Sequence, residues 1–146
     1  MTEDRTDPAR ILFELAPRLT RLENAVLGDM EPPLTWRQYR MLVRVSHGYT
    51  SLTALGKTAT ISLAAVSECV DRLVERGLLR REKDPADRRA TLLTVTDRGR
   101  RALREAEGLL GELSGDVLGE LGPQDRARLA AVLRSVEDRV RSRLPR

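Results

Sequence analysis

The chain has 146 residues, enough for one compact domain with a core that needs no disulfide. Hydrophobic residues make up 40% and charged residues 33%, with aromatics at only 3%, which is the balance of a soluble, helix-rich protein with a Leu, Val and Ala core. The formal charge of +4 permits an acidic partner such as nucleic acid, the single cysteine excludes an internal disulfide, and no apolar run approaches the ~18 residues of a membrane span.

The first ten residues, MTEDRTDPAR, are acidic and polar, unlike a signal peptide, so a cytoplasmic location is expected. Residues 8–29 carry Ile11, Leu12, Leu15, Leu19, Leu22, Val26 and Leu27 at helical spacing. Pro17 should kink that helix or split it in two. After Glu31-Pro32-Pro33, Thr35 with Gln38 three residues on fits a capping box for a second helix, which Gly48 can close. Two short helices follow, capped by Ser51 and Ser62 and joined by a tight turn at Thr58–Thr60, the order of a helix-turn-helix. Val66, Cys69, Val70 and Leu73 form the inward face of the second, and Gly77 stops it.

Strands are expected at about 78–83 and 90–95, joined through Asp84-Pro85-Ala86-Asp87. Thr96 can cap a long helix from Asp97 to about Leu121. Gly122-Pro123 breaks it before a last helix to about Leu144. Gly111, Gly115 and Gly119 share one face of the long helix, either as a place for another backbone to approach or as a mobile helix end.

Positive charge is concentrated around the hairpin. Arg72 to Arg104 holds eleven cations against five carboxylates, an excess larger than that of the whole chain. The second helix of a helix-turn-helix enters the major groove. Ser62 at its start can present backbone donors to a phosphate. Ala64, Glu68, Asp71, Arg72 and Glu75 lie opposite its apolar face, an acidic stripe that opposes simple phosphate binding. Glu68 can accept from a cytosine amino group or pair with Arg72 one turn on. At the hairpin tip, Arg88 and Arg89 can reach a phosphate or the narrow minor groove, or else pair with Asp84 and Asp87 and only brace the turn.

Catalysis is poorly served. His47 stands beside the helix-ending Gly48, where it meets helix carbonyls, and Cys69 sits on the apolar face. No zinc spacing, glycine-rich phosphate loop or nucleophile motif is visible, so no cofactor and no metal is expected and the chain is read as not an enzyme.

LVERGLLRREKDPADRRATLLTVTDRG, Leu73 to Gly99, resembles the wing region of the multiple antibiotic resistance regulator (MarR) family. Its pattern D-x-R-x-x-x-L-x-[LV]-T is met by Asp87, Arg89, Leu93, Val95 and Thr96, and the helix order fits essentially the whole chain. The resemblance implies a mainly α fold with a small β-hairpin wing: a single domain over 1–146, with a winged helix-turn-helix lobe at 35–96 and dimerisation helices at 8–30 and 97–146. It implies a homodimer on a pseudo-palindromic double-stranded DNA site, more often a repressor, released by a small phenolic or other aromatic acid. The recognition-helix candidates are Ser62, Ala64, Ala65 and Glu68. Arg89 looks like the minor-groove contact, Arg88 a second wing contact, and Asp87 a brace for the wing arginines. A pocket lined from the first, second and fifth helices is expected to hold the effector, with Trp36, Tyr39, Arg40 and His47 as its candidates.

The chain departs from the family pattern at several places. Thr60 stands where relatives commonly carry glycine, Ala64 and Ala65 replace frequent hydroxyl residues, and Glu68 replaces a polar or basic one. Alanine can meet thymine methyls instead. Cys69 is not in the N-terminal helix, which disfavours oxidant sensing. The rival expectation is a helical dimerisation or scaffold protein of the same fold without specific DNA binding.

Overall fold

The computed structural model describes residues 7–144; residues 1–6, which carry most of the acidic N-terminal stretch, lie outside it. Six helices and two strands follow in chain order: α1 (Pro8–Gly28), α2 (Trp36–Ser46), α3 (Leu52–Thr58), α4 (Leu63–Glu75), β1 (Leu79–Lys83), β2 (Thr91–Val95), α5 (Asp97–Leu118) and α6 (Pro123–Arg143). The fold is mainly helical with one antiparallel hairpin, a winged helix-turn-helix flanked by long helices.

Local chemistry sets the helix starts. Thr35 Oγ1 accepts from the Gln38 N–H at 3.1 Å while Gln38 Oε1 accepts from the Thr35 N–H at 3.1 Å, so two otherwise orphaned donors are satisfied together. Ser51 caps α3, Ser62 caps α4 and Thr96 caps α5 by the same hydroxyl-to-backbone bond. Gly48 and Gly77 take φ of +95° and +70°, the left-handed turns after α2 and α4 that glycine adopts at little cost.

Pro17 does not split α1, which runs as one helix from Pro8 to Gly28. The proline removes one N–H donor, and on an exposed helix face a carbonyl left without that donor can turn to water. The last helices end slightly earlier than their spacing implies, α5 at Leu118 and α6 at Arg143.

One core joins the elements. Leu27 of α1, Met41 and Leu42 of α2, Leu55 of α3, Val66, Val70 and Leu73 of α4, and Ala106 of α5 are fully buried together with Leu78 at the foot of the wing. Each such leucine contributes about 1.5–3 kcal/mol relative to leaving it exposed. In the hairpin, Leu79 pairs with Val95 and Arg81 with Leu93. Leu79, Leu93 and Val95 face the core. The free edge of β2 is partly covered, because the Leu93 N–H donates to the Thr50 carbonyl at 2.8 Å.

The wing is pinned to α5 at one point. Thr96 Oγ1 donates to the Gly77 carbonyl at 2.6 Å and accepts from the Gly99 N–H at 3.0 Å. The Thr96 N–H donates to the Leu78 carbonyl at 3.2 Å. Gly99 is buried here, and a Cβ on it would stand 2.2 Å from that same Leu78 oxygen.

By contrast, α6 buries no residue, and Val132, Leu133 and Val140 on it are exposed. Ile11, Phe13, Leu15 and Leu22 of α1 are exposed as well, Phe13 at 74%. A Cβ on Gly111 or Gly115 of α5 would meet open space, while Gly119 caps that helix rather than lying within it.

Candidate nucleic-acid interface

The second helix of the helix-turn-helix, the candidate recognition helix, is α4. Ser62 holds an extended backbone and its Oγ accepts from the Ala65 N–H at 3.2 Å, capping the helix. Val66, Cys69, Val70 and Leu73 are buried, as their spacing predicts. Ala64, Glu68, Asp71 and Glu75 are exposed on the opposite side, and Leu63, the first residue of the helix, is 57% exposed. Ala65 is half-buried on the flank that faces α2, where it helps line a cleft of about 370 Å³ with Trp36, Glu68 and Arg72.

The acidic stripe is largely neutralised from within. Glu68 pairs with Arg72 at 2.6 Å, the second of the two readings open to it. Asp71 pairs with Arg81 of β1. The first link lies along one helix; the second ties the recognition helix to the wing. These partners are mostly exposed, so each pair is worth at most about 0.5–1 kcal/mol. Their larger effect is on charge: two of the carboxylates that would repel phosphate each have a guanidinium beside them.

At the wing tip, the carboxylates hold backbone rather than guanidinium groups. Asp84 Oδ1 accepts from the Ala86 N–H at 2.8 Å and Asp87 Oδ1 from the Arg89 N–H at 3.0 Å. The Ala90 N–H donates to the Asp87 carbonyl at 2.9 Å, and the Asp84 N–H to the Ala90 carbonyl at 3.0 Å, closing the turn. Aspartate favours such turns because its short side chain reaches the backbone two residues on. Both arginine side chains are exposed, and among the described residues neither guanidinium has an ion pair or hydrogen bond. Asp87 therefore fixes where Arg89 starts and leaves its charge available.

The four effector candidates do not form one site. The Trp36 and Tyr39 rings stack with centroids 5.4 Å apart, and the Arg40 guanidinium lies 5.6 Å from the Trp36 ring centre. Trp36 and Arg40 line a second cleft of about 360 Å³ with Arg37, Arg44, Ala59 and Ile61. Its walls are α2 and the α3–α4 turn, not the first, second and fifth helices together. Burial, then the neighbouring Arg40 charge, pull Arg44 below the ordinary arginine value, and Arg44 Nη2 donates to the Thr58 carbonyl at 3.2 Å. Tyr39 turns towards α5 instead: burial, then the Glu107 charge, raise its phenol above the ordinary value. His47 is the exposed cap residue at the far end of α2, with its N–H on the Val43 and Arg44 carbonyls.

Sequence spacing alone misses Arg37, Arg44 and Arg81, because their neighbours come from other elements. Cys69 is buried, and that burial pushes its thiol above the ordinary cysteine value, the opposite of a reactive thiolate. Among the described residues, no group of three or more His, Cys, Asp or Glu is placed to hold a metal, and no helix is long and apolar enough to cross a membrane.

The family model described as "MarR family" matches residues 34–91, from the start of α2 through the wing tip. The chain is also 21% identical over 146 residues to the HTH-type transcriptional regulator TcaR of Staphylococcus aureus (strain Newman), covering 97% of both chains. Over the lobe from α2 to the wing tip the chain is similar to the MarR family. Two solved structures extend the likeness to the fold. A mutant MarR from E. coli complexed with operator DNA superposes with a TM-score of 0.75 at 24% identity, covering 93% of this chain and 98% of that one. BpsR of Bordetella bronchiseptica, whose DNA binding is regulated by 6-hydroxynicotinic acid, superposes with a TM-score of 0.68 at 29% identity, covering 86% and 91%. The curated relatives TcaR and NicR are named as a transcriptional regulator and a transcriptional repressor. The matched segment coincides with the lobe that carries α4 and the wing.

Proposed function

We propose that this chain is a homodimeric repressor that binds a pseudo-palindromic duplex and is released by a small aromatic acid. In each protomer α4 enters the major groove, Arg89 reaches the adjacent minor groove, and Arg88 meets phosphate. The observation that carries this reading is the wing tip: two exposed guanidiniums without partners among the described residues, on a turn fixed by Asp84 and Asp87, beside a helix-turn-helix. The likeness to an operator-bound MarR and to an effector-regulated BpsR supports it. The α2 cleft suits such an effector, since it sets Arg37, Arg40 and Arg44 against the Trp36 ring.

Footprinting on the DNA flanking the gene, at two salt concentrations and with a panel of aromatic acids, tests this function. The expected result is a protected, two-fold symmetric site, an affinity that falls steeply with salt, and release by at least one acid. The acidic face of α4 favours a second reading, a scaffold protein without specific DNA binding. Equal affinity for the protected site and for random duplex would establish that second reading.

Dimerisation would follow from the two faces left bare. Most helical stability in proteins comes from packing one face against a neighbour, yet α6 has no buried residue within its own protomer. Placing Val132 and Leu133 against α1 of a second copy would cover both sets of exposed side chains. The double variant Val132→Asp, Leu133→Asp is expected to shift sedimentation from dimer towards monomer and to lower helix content. A parent protein that sediments as a monomer at micromolar concentration would refute the assembly.

A further inference from the structure

We infer that Leu63 and Ala64 make base recognition depend on methyl groups: the leading turn of α4 reads thymine through its C5-methyl rather than through hydrogen bonds. This rests on the proposed placement of α4 in the major groove. The two carboxylates nearest that turn are paired in the free protein, and the Ser62 hydroxyl already serves as the helix cap. Ser62 Oγ accepts from the Ala65 N–H at 3.2 Å, Glu68 pairs with Arg72 at 2.6 Å, and Asp71 pairs with Arg81. What the turn leaves uncovered is apolar. Leu63 is 57% exposed although it is a leucine, and Ala64 beside it is exposed.

Leu63 is also held in place. A Cβ on Gly56 of α3 would stand 3.1 Å from Leu63 Cδ1, so the leucine lies against α3 on one side and is bare on the other. Thymine is the only base that presents a methyl group in the major groove, and apolar side chains are what that methyl recognises. The leading turn therefore selects thymine and gains nothing from guanine or cytosine at the same step.

The test uses the full-length protein and its footprinted duplex in two forms, one with thymine and one with deoxyuridine at every thymine of the protected half-sites. Deoxyuridine keeps the base-pairing edge and removes only the methyl. Losing one methyl contact in each half-site is expected to weaken binding about fifteenfold. Leu63→Ser and, separately, Ala64→Gly should each shrink that ratio towards one, with thermal unfolding reported beside each. Because Leu63→Ser also loses its contact with Gly56, Ala64→Gly keeps the test intact if the first variant unfolds. Equal affinity of the parent for both duplexes, or half-sites without thymine, would overturn this inference while leaving sequence-specific binding in place. A parent that prefers no duplex would instead overturn the reading beneath it.

Discussion

Replacing Arg88 and Arg89 together by alanine is expected to weaken binding to the protected duplex by a hundred- to a thousandfold at physiological salt. The size follows from counterion release. Each phosphate neutralised contributes about 0.9 to the slope of log affinity against log salt, and a dimer presents four of these cations. The slope itself should therefore flatten by about two to four. The single variants should separate. Arg88→Ala should weaken all duplexes alike, whereas Arg89→Ala should also erase a preference for A·T-rich DNA beside the half-site, where a narrow minor groove concentrates negative potential. Neither change should alter stability, since both side chains are exposed and without partners among the described residues. A double variant that binds as tightly as the parent, with the same salt slope, would remove the wing from the interface.

The second large effect is on folding. Gly99→Ala should destabilise the protein by about 3 kcal/mol, because overpacking against backbone cannot be relieved by a side-chain rotation. The added Cβ would stand 2.2 Å from the Leu78 carbonyl oxygen and 2.8 Å from Val95 Cγ1. That oxygen already accepts the Thr96 N–H, and both Leu78 and Val95 are buried. A fall of about 10 °C in the thermal midpoint is expected for a domain of this size. Gly108→Ala is the matched control: its Cβ meets nothing within 4 Å, so helix propensity alone should stabilise it by about 1 kcal/mol. If both variants melted alike, the close packing of α5 on the wing would be wrong.

Local signals gave most of the architecture. Thr35 with Gln38, Ser51, Ser62 and Thr96 each cap the helix they precede, because a capping hydroxyl needs only neighbours within three residues. The i, i+3, i+4, i+7 set of α4 named its buried face for the same reason. What spacing left open depends on contacts between elements. Glu68 pairs with Arg72 one turn on, a link spacing allows, whereas Asp71 reaches an arginine ten residues away on another element. Asp87 is expected to brace the wing arginines; its carboxylate holds the Arg89 backbone N–H rather than a guanidinium. Of the two outcomes open to Pro17, a kink or a split, the split does not occur, since α1 continues past it. Gly99 was legible as part of a motif, but the carbonyl it must clear was not.

The bonds at Thr96 also make α5 a rigid pointer. Its buried residues, Gly99, Ala102, Leu103 and Ala106, all lie in its first half, against the lobe that carries the wing and α4. Its 22 residues extend about 33 Å. A tilt of about 5° at one end therefore displaces the other by about 3 Å, close to the 3.4 Å rise between base pairs. With the wing fastened to the root of that helix, such a change of inclination in the proposed DNA complex would put the wing about one base pair out of step.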